Sequence, residues 1–253
     1  MWGRLKRARM KKYIKGLVKV TSKECYAKNF RDGKLYMNEL RYYTKCEQRE
    51  LGDKLEGRSL TIYANNVPIH CIDSMALCFP VFCMYGLYDS KYGNTKFVSI
   101  CPKMKAFGKY AVVVTDVQKF LERIEATGLE FSPVKYQNPD KNNYDSRIPF
   151  RPEYRKVKYF KYQQEFRIRK PDLLLTKNSK EKYEGLETKD EDHYEHFIPG
   201  GLHDITSEII PIEKILQPNK HSVELSVDWE NMVLSNFIKY EKPKLETKED
   251  ISR

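Results

Sequence analysis

The stretch KYFKYQQEFRIRK, residues 158–170, limits the folds open to this chain more than any other. Read with the alternation of a β-strand, it puts Phe160, Tyr162, Phe166 and Ile168 on one face. Tyr159, Lys161, Gln163, Glu165, Arg167 and Arg169 fall on the other. One face is apolar and aromatic and the opposite one is polar throughout. Such a strand packs one side on a core and turns the other to water or to a cleft, so the chain needs a sheet with a differentiated second face. Glu165, between basic neighbours, either balances the charges of Lys161 and Arg167 or serves a site.

Composition agrees with a sheet protein. Eighteen tyrosines among 253 residues suit β-structure and amphipathic surfaces better than a helical bundle. A 40% hydrophobic content with 13% aromatics can build the core of one large domain or two small ones. Lys and Arg total 46 against 35 Asp and Glu, a net charge of +11. That surplus signals an anionic partner, with nucleic acid first, or serves solubility alone. Cys25, Cys46, Cys71, Cys78, Cys83 and Cys101 have no paired metal-site spacing, and no signal peptide is read before them. They read as reduced, mostly buried thiols of a cytoplasmic protein. No apolar run reaches the roughly 20 residues needed to span a bilayer. The longest, MALCFPVFCMYGLY, is broken by Pro80 and reads as a strand pair or a strand and turn.

Along the chain, residues 1–16 carry seven basic side chains and no acidic one, a basic helix or arm that is either solvated or a contact for RNA or a protein. A single domain is expected over 17–240, with a charged tail over 241–253. It opens with a strand at GLVKVTS, a helix at KECYAKNFRDG closed by its glycine, and a strand at KLYMNELRYYT. CEQRELGDKLEGRS reads as a loop, and LTIYANNVPIHCID as two short strands around an Asn-Asn turn. Asp116 caps an amphipathic helix whose stripe is Val117, Phe120, Leu121 and Ile124. LEFSPVKYQ resumes β-structure, residues 137–157 form a long loop, and EIIPIEKILQ gives a late helix or strand pair.

Three clusters could carry chemistry: Lys19, Thr21 and Ser22 on the first strand; Arg41, Tyr42, Tyr43, Asp53 and Glu56 around the acidic loop; and Gln163 with Glu165. Each has an ordinary structural alternative. Lys19 and Thr21 could be the exposed side of a half-buried strand, one of Tyr42 and Tyr43 a core residue, and Asp53 and Glu56 turn or cap residues. His193 and His196 are spaced for a metal on a helix, but nothing nearby completes a site, and no metal is expected. There is no Gly-x-Ser-x-Gly elbow. Asp53, Glu56 and Glu165 leave a metal-dependent nuclease open as a lesser reading.

The series ECYAKNFRDGKLYMNELRYYTK, then GDKLEG, then YQQEFRI resembles the ADP-ribosyltransferases, in particular bacterial phage-defence toxins of toxin-antitoxin-chaperone systems that modify messenger RNA. The resemblance covers roughly residues 17–215. It implies an α+β fold of two packed antiparallel or mixed β-sheets with flanking helices, and NAD as the ADP-ribose donor. It also implies RNA as acceptor, and antitoxin and chaperone proteins as partners. Glu165 matches the family's catalytic glutamate, and Gln163, two residues before it, the partner that positions the acceptor. The family's first strand offers Arg or His where this chain has Lys19, Thr21 and Ser22, which leaves open which residue anchors NAD. Arg41, Tyr42 and Tyr43 are the further candidates, an arginine for the pyrophosphate and a tyrosine for the nicotinamide. The alternative to catalysis is a defence sensor that binds RNA or protein.

Overall fold

A computed structural model describes residues 14–48, 50–88, 99–138, 151–171 and 193–216. Its centre is β5 (Pro80–Tyr88), a strand buried along most of its length. One edge of β5 pairs antiparallel with β10 (Glu165–Arg169). The other edge is shared: β1 (Ile14–Thr21) pairs with its end, Val18 opposite Tyr85, and β2 (Lys34–Glu39) with its beginning, Asn38 opposite Val81. The two strands thus part at the middle of β5. Beyond β1 lie β6 (Tyr110–Val114) and β12 (Ile210–Pro211); beyond β2 lies β11 (His193–Phe197); β7 (Glu130–Pro133) adds to β10. All eight strands join one branched antiparallel sheet. Two ribbons stand apart, the hairpin of β3 (Arg58–Ala64) and β4 (Val67–Ile72), and the parallel pair of β8 (Lys135–Gln137) and β9 (Arg155–Val157). The α+β class holds. Among the described residues the strands form this one branched sheet with two ribbons, where two packed sheets were expected.

Helix α1 (Glu24–Arg31) joins β1 to β2 and ends where Gly33 takes φ +87°, its N–H donating to Phe30 O, as the glycine in the sequence predicts. A Cβ there would meet Ile198 O at 2.5 Å. Helix α4 (Val117–Ala126) starts where the Asp116 carboxylate accepts from Lys119 N at 2.9 Å. Both helices cover one sheet face. Phe30 stacks on Phe82 with ring centroids 5.6 Å apart and meets Phe120 edge-on at 6.2 Å, and Leu17, Met84, Val112, Phe166 and Ile168 complete this core. Val18, Tyr85, Leu87, Ala111 and Val113 face the other way, onto Ile100, Met104, Ile212 and Ile215.

The reading of residues 158–170 as one strand is corrected. Lys158–Gln163 is a 3-10 turn, Gln164 sits in the left-handed region at φ 41°, and only Glu165–Arg169 is strand. The alternation survives over these five residues, yet the polar face is turned inward, with Glu165, Arg167 and Arg169 all buried. A second correction concerns KLYMNELRYYT. The strand stops at Glu39, opposite Pro80 where β5 begins, and Leu40–Lys45 coils into helix α2. Helix α3 (Ser74–Leu77), capped by the Asp73 carboxylate, precedes β5. Residues 1–13 and 217–253 lie outside the described residues, and with them the charged tail and the basic segment up to residue 13; residues 14–16, expected to belong to that segment, are part of β1, which begins at Ile14. All six cysteines are free, but only Cys78 is buried; Cys25 is exposed and the others are half-buried.

Candidate functional site

Where β5 turns its second face away from the helices, three cations and three carboxylates are packed together: Lys156, Arg167 and Arg169 against Glu56, Glu153 and Glu165. Strand pairing sets their positions. Arg167 lies opposite Cys83 and Glu165 opposite Tyr85, so their side chains rise on the same face as those residues. Glu56 comes from the loop between α2 and β3, Glu153 from the 3-10 turn that leads into β9, and Lys156 from β9 itself.

Glu165 is the hub. Its Oε1 accepts from Arg167 Nε at 2.7 Å and its Oε2 from Lys156 Nζ at 3.0 Å. Arg167 also grips Glu56 in a two-pronged contact, at 3.0 and 3.2 Å, and donates to the Glu153 carbonyl. Lys156 lies 3.5 Å from Glu56, and Arg169 3.0 Å from Glu153 and 2.7 Å from Glu130. Burial opposes ionisation of Glu165, but Arg167 and Lys156 outweigh it and bring its carboxyl down to about 2. Glu56 goes the other way: burial pushes it up, and the charge of Glu165 adds to that against the pull of Arg167 and Lys156. The two carboxylates thus share cations while their proton affinities are driven apart. The Cys83 thiol is pushed up to about 12 by burial and by the nearby Glu165 carboxylate.

Of the residues named from sequence, Glu165 and Glu56 meet in this cluster, and Tyr43 stands beside it, its hydroxyl 3.9 Å from Cys83 Sγ. Burial, with the charges of Cys83 and Glu165, raises the Tyr43 phenol. Lys19 arrives from β1. Its amine lies 3.9 Å from the centre of the Phe82 ring and donates to Cys83 O at 3.0 Å, at the place where β1 and β2 part. Burial lowers that amine to about 8, against the opposing pull of Cys83 and Glu165. The remaining candidates are held elsewhere. Thr21 Oγ1 donates to Lys23 O, Arg41 Nη2 to Cys78 Sγ, and Gln163 Nε2 to Glu50 O at 2.7 Å. Gln163 therefore does not share a strand face with Glu165, because the left-handed Gln164 separates them. Asp53 closes a turn through Leu55 N and pins β9 through Val157 N. Ser22 and Tyr42 are exposed. His193 and His196 lie on β11 with unlike exposure, His193 stacked on Tyr36 at 4.7 Å. Among the described residues no three His, Cys, Asp or Glu side chains are grouped to hold a metal ion.

Sequence reasoning did not find Lys156 and Glu153. Both come from the 137–157 segment, whose length was the one sign that it carried something. A groove of about 680 Å³ opens beside the cluster, lined by Thr44, Lys45, Lys54, Tyr159 and Phe160. Phe160 is one of its lining residues, and Lys156 Nζ lies 5.0 Å from the centre of that ring. Phe160 therefore touches both the groove and the cation that pairs with Glu165. No family model matches the chain, and neither a curated protein nor a solved structure does.

Proposed function

We propose that the chain transfers ADP-ribose from NAD to a nucleic acid, with Glu165 as the carboxylate that stabilises the reacting ribose. The observation that carries this reading is an ionised carboxylate, held down to about 2 inside a desolvated cluster, whose partner Lys156 lies against Phe160, a lining residue of a groove of about 680 Å³. Six buried charges are an expensive way to fill a core, since apolar residues of similar volume do as well or better. A fixed negative charge in a dry setting is what an oxocarbenium-like transition state needs. The bond from nicotinamide to the ribose anomeric carbon breaks, nicotinamide leaves, and the acceptor bonds to that carbon and gives up its proton. Access to Glu165, 4% exposed, requires Phe160 and its 3-10 turn to move aside. Tyr43 and the Lys19 amine border the same region where β1 and β2 part.

A nucleic-acid acceptor fits the surface. The groove carries Lys45 and Lys54 against one acid, Glu47, and Lys103 lies over the Tyr162 ring at 4.9 Å. Exposed Tyr26 and Tyr42 both neighbour exposed Tyr36, on which His193 stacks. Such rings stack unpaired bases while lysines hold phosphates. The sequence resemblance adds the biological setting of a defence toxin that acts on messenger RNA and is restrained by antitoxin and chaperone partners. No helix among the described residues is long and apolar enough to cross a membrane.

One observation favours a second reading, a binding module without catalysis: both Glu165 oxygens are already taken by Arg167 and Lys156. The cluster would then be structural and the basic, aromatic surface the working part. Incubating the protein with labelled NAD and total RNA, single-stranded DNA or cell extract separates the two. Label on RNA, lost in Glu165→Gln at a temperature where that variant is folded, supports the transferase. Tight RNA binding with no label on any acceptor selects the binding module. Activity that ignores NAD and is lost in chelator would point to the nuclease.

A further inference from the structure

The β3–β4 hairpin projects from the body as a two-stranded ribbon with one face entirely apolar. Its register sets Leu60 opposite Cys71, Ile62 opposite Ile69 and Ala64 opposite Val67, which share that face. Thr61 opposite His70 and Tyr63 opposite Pro68 share the other, where Thr61 Oγ1 lies 2.9 Å from both Arg58 Nη1 and His70 Nδ1. The tip is a two-residue turn with Asn65 at φ 51° and Asn66 at φ 63°, the left-handed pair that a tight hairpin demands. An amphipathic ribbon normally packs its apolar face on a core. Here Ile62, Ile69 and Val67 are 48%, 45% and 60% exposed, and a lone two-stranded ribbon is marginal in water.

We propose that this face docks on the same face of a second copy of the chain, forming a two-fold dimer. Charge argues for self-association. Across residues 60–77 the only charged side chain is Asp73, in a chain of net charge +11. The ribbon therefore offers a charged partner nothing to pair with, and it is where two basic copies can approach with least repulsion. Size agrees. The exposed parts of the apolar face, with Met75 on the adjoining α3, amount to roughly 500 Å² per copy, about two-thirds of the ~800 Å² per partner of a standard interface. Such an area suits a dimer that forms at micromolar concentrations. A two-fold axis lays the Ile62–Ile69 pair against its own image, which makes the contact closed and self-limiting.

Sedimentation of the full chain from roughly 1 to 200 μM tests this. The expected result is a monomer–dimer equilibrium that tightens at higher salt, because screening weakens repulsion between the two basic copies. Ile69→Lys is expected to leave the protein monomeric with an unchanged thermal melt, since the residue is exposed. Tyr63→Lys, one residue from Ile62 on the opposite face, is expected to dimerise like the unmodified protein. A chain that stays monomeric over the whole range overturns the proposal, whether another partner or another segment of the chain covers the face. Equal loss in both variants, or in neither, overturns it as well.

Discussion

Replacing Glu165 by Gln tests the buried cluster as much as it tests chemistry. The carboxyl is held at about 2 against an ordinary 4.5, a gap that corresponds to about 3 kcal/mol favouring the ionised folded state. Because the pKa is depressed, that stability is fully present above pH 4.5. It drains away as pH falls from 4.5 through about 2. Gln keeps the shape but leaves Lys156 and Arg167 facing Glu56 alone. Three cations then oppose two carboxylates in a dry interior, and leaving a buried charge uncompensated costs about 3–5 kcal/mol, a large part of a stability of about 5–15 kcal/mol. Adding Lys156→Met restores the balance, so the double variant is expected to lose only about 1–2 kcal/mol. Urea unfolding at pH 7 measures all three proteins, and a series down to pH 2 should show the gap between the unmodified protein and Glu165→Gln closing. A loss under about 1 kcal/mol in Glu165→Gln, or no recovery in the double variant, would refute the account of the cluster as a tightly coupled charge network. The same series gives the temperature at which the labelling experiment is interpretable.

Two further outcomes follow from the fold. Gly33→Ala places a Cβ at φ +87° and 2.5 Å from Ile198 O, so a loss of about 2–3 kcal/mol in thermal or urea unfolding is expected; an unchanged midpoint would show that the α1–β2 junction relaxes freely. The Lys19 amine is expected to titrate near 8 because burial disfavours its charged form, visible by NMR as one lysine signal moving well before the others and absent from Lys19→Arg. Stability rises with pH here as it does for Glu165, because both groups are depressed in the folded state, but Lys19 contributes a penalty where Glu165 contributes stabilisation. The unfolded chain, with an ordinary lysine, binds the extra proton between about 8 and 10.5, so this residue's penalty is present below pH 8 and is relieved as pH rises through that window.

What the sequence reveals and what it hides divide along the range of the interactions. Local devices were legible. The glycine after α1, the Asp116 cap and the Asn65–Asn66 turn each act over three or four residues, and each forms where its residue types demand. The two misread stretches fail for tertiary reasons. LRYYTK has the β-branched and aromatic look of a strand, but β5 begins at Pro80 and offers it no partner beyond Glu39, so it closes hydrogen bonds on itself as α2. KYFKYQ alternates like the strand that follows it, and nothing local announces that Gln164 will turn left-handed.

The polar face of β10 is the instructive case. Alternation found the right residues, but it cannot say whether a polar face meets water or other charges, because the answer comes from Glu56, 111 residues before Arg167 in the chain. Long-range neutralisation lets a face of Glu165, Arg167 and Arg169 lie inside the protein. It also joins folding to function in the proposed transferase. The cations that hold Glu165 ionised are the groups that occupy its oxygens, so a ribose hydroxyl can reach it only by adding to those contacts or displacing Lys156. Of its two cations Lys156 is the one that can yield. It makes a single contact to Glu165 and lies 5.0 Å from the Phe160 ring that lines the groove, whereas Arg167 is fixed in the sheet and tied to Glu56 by two bonds.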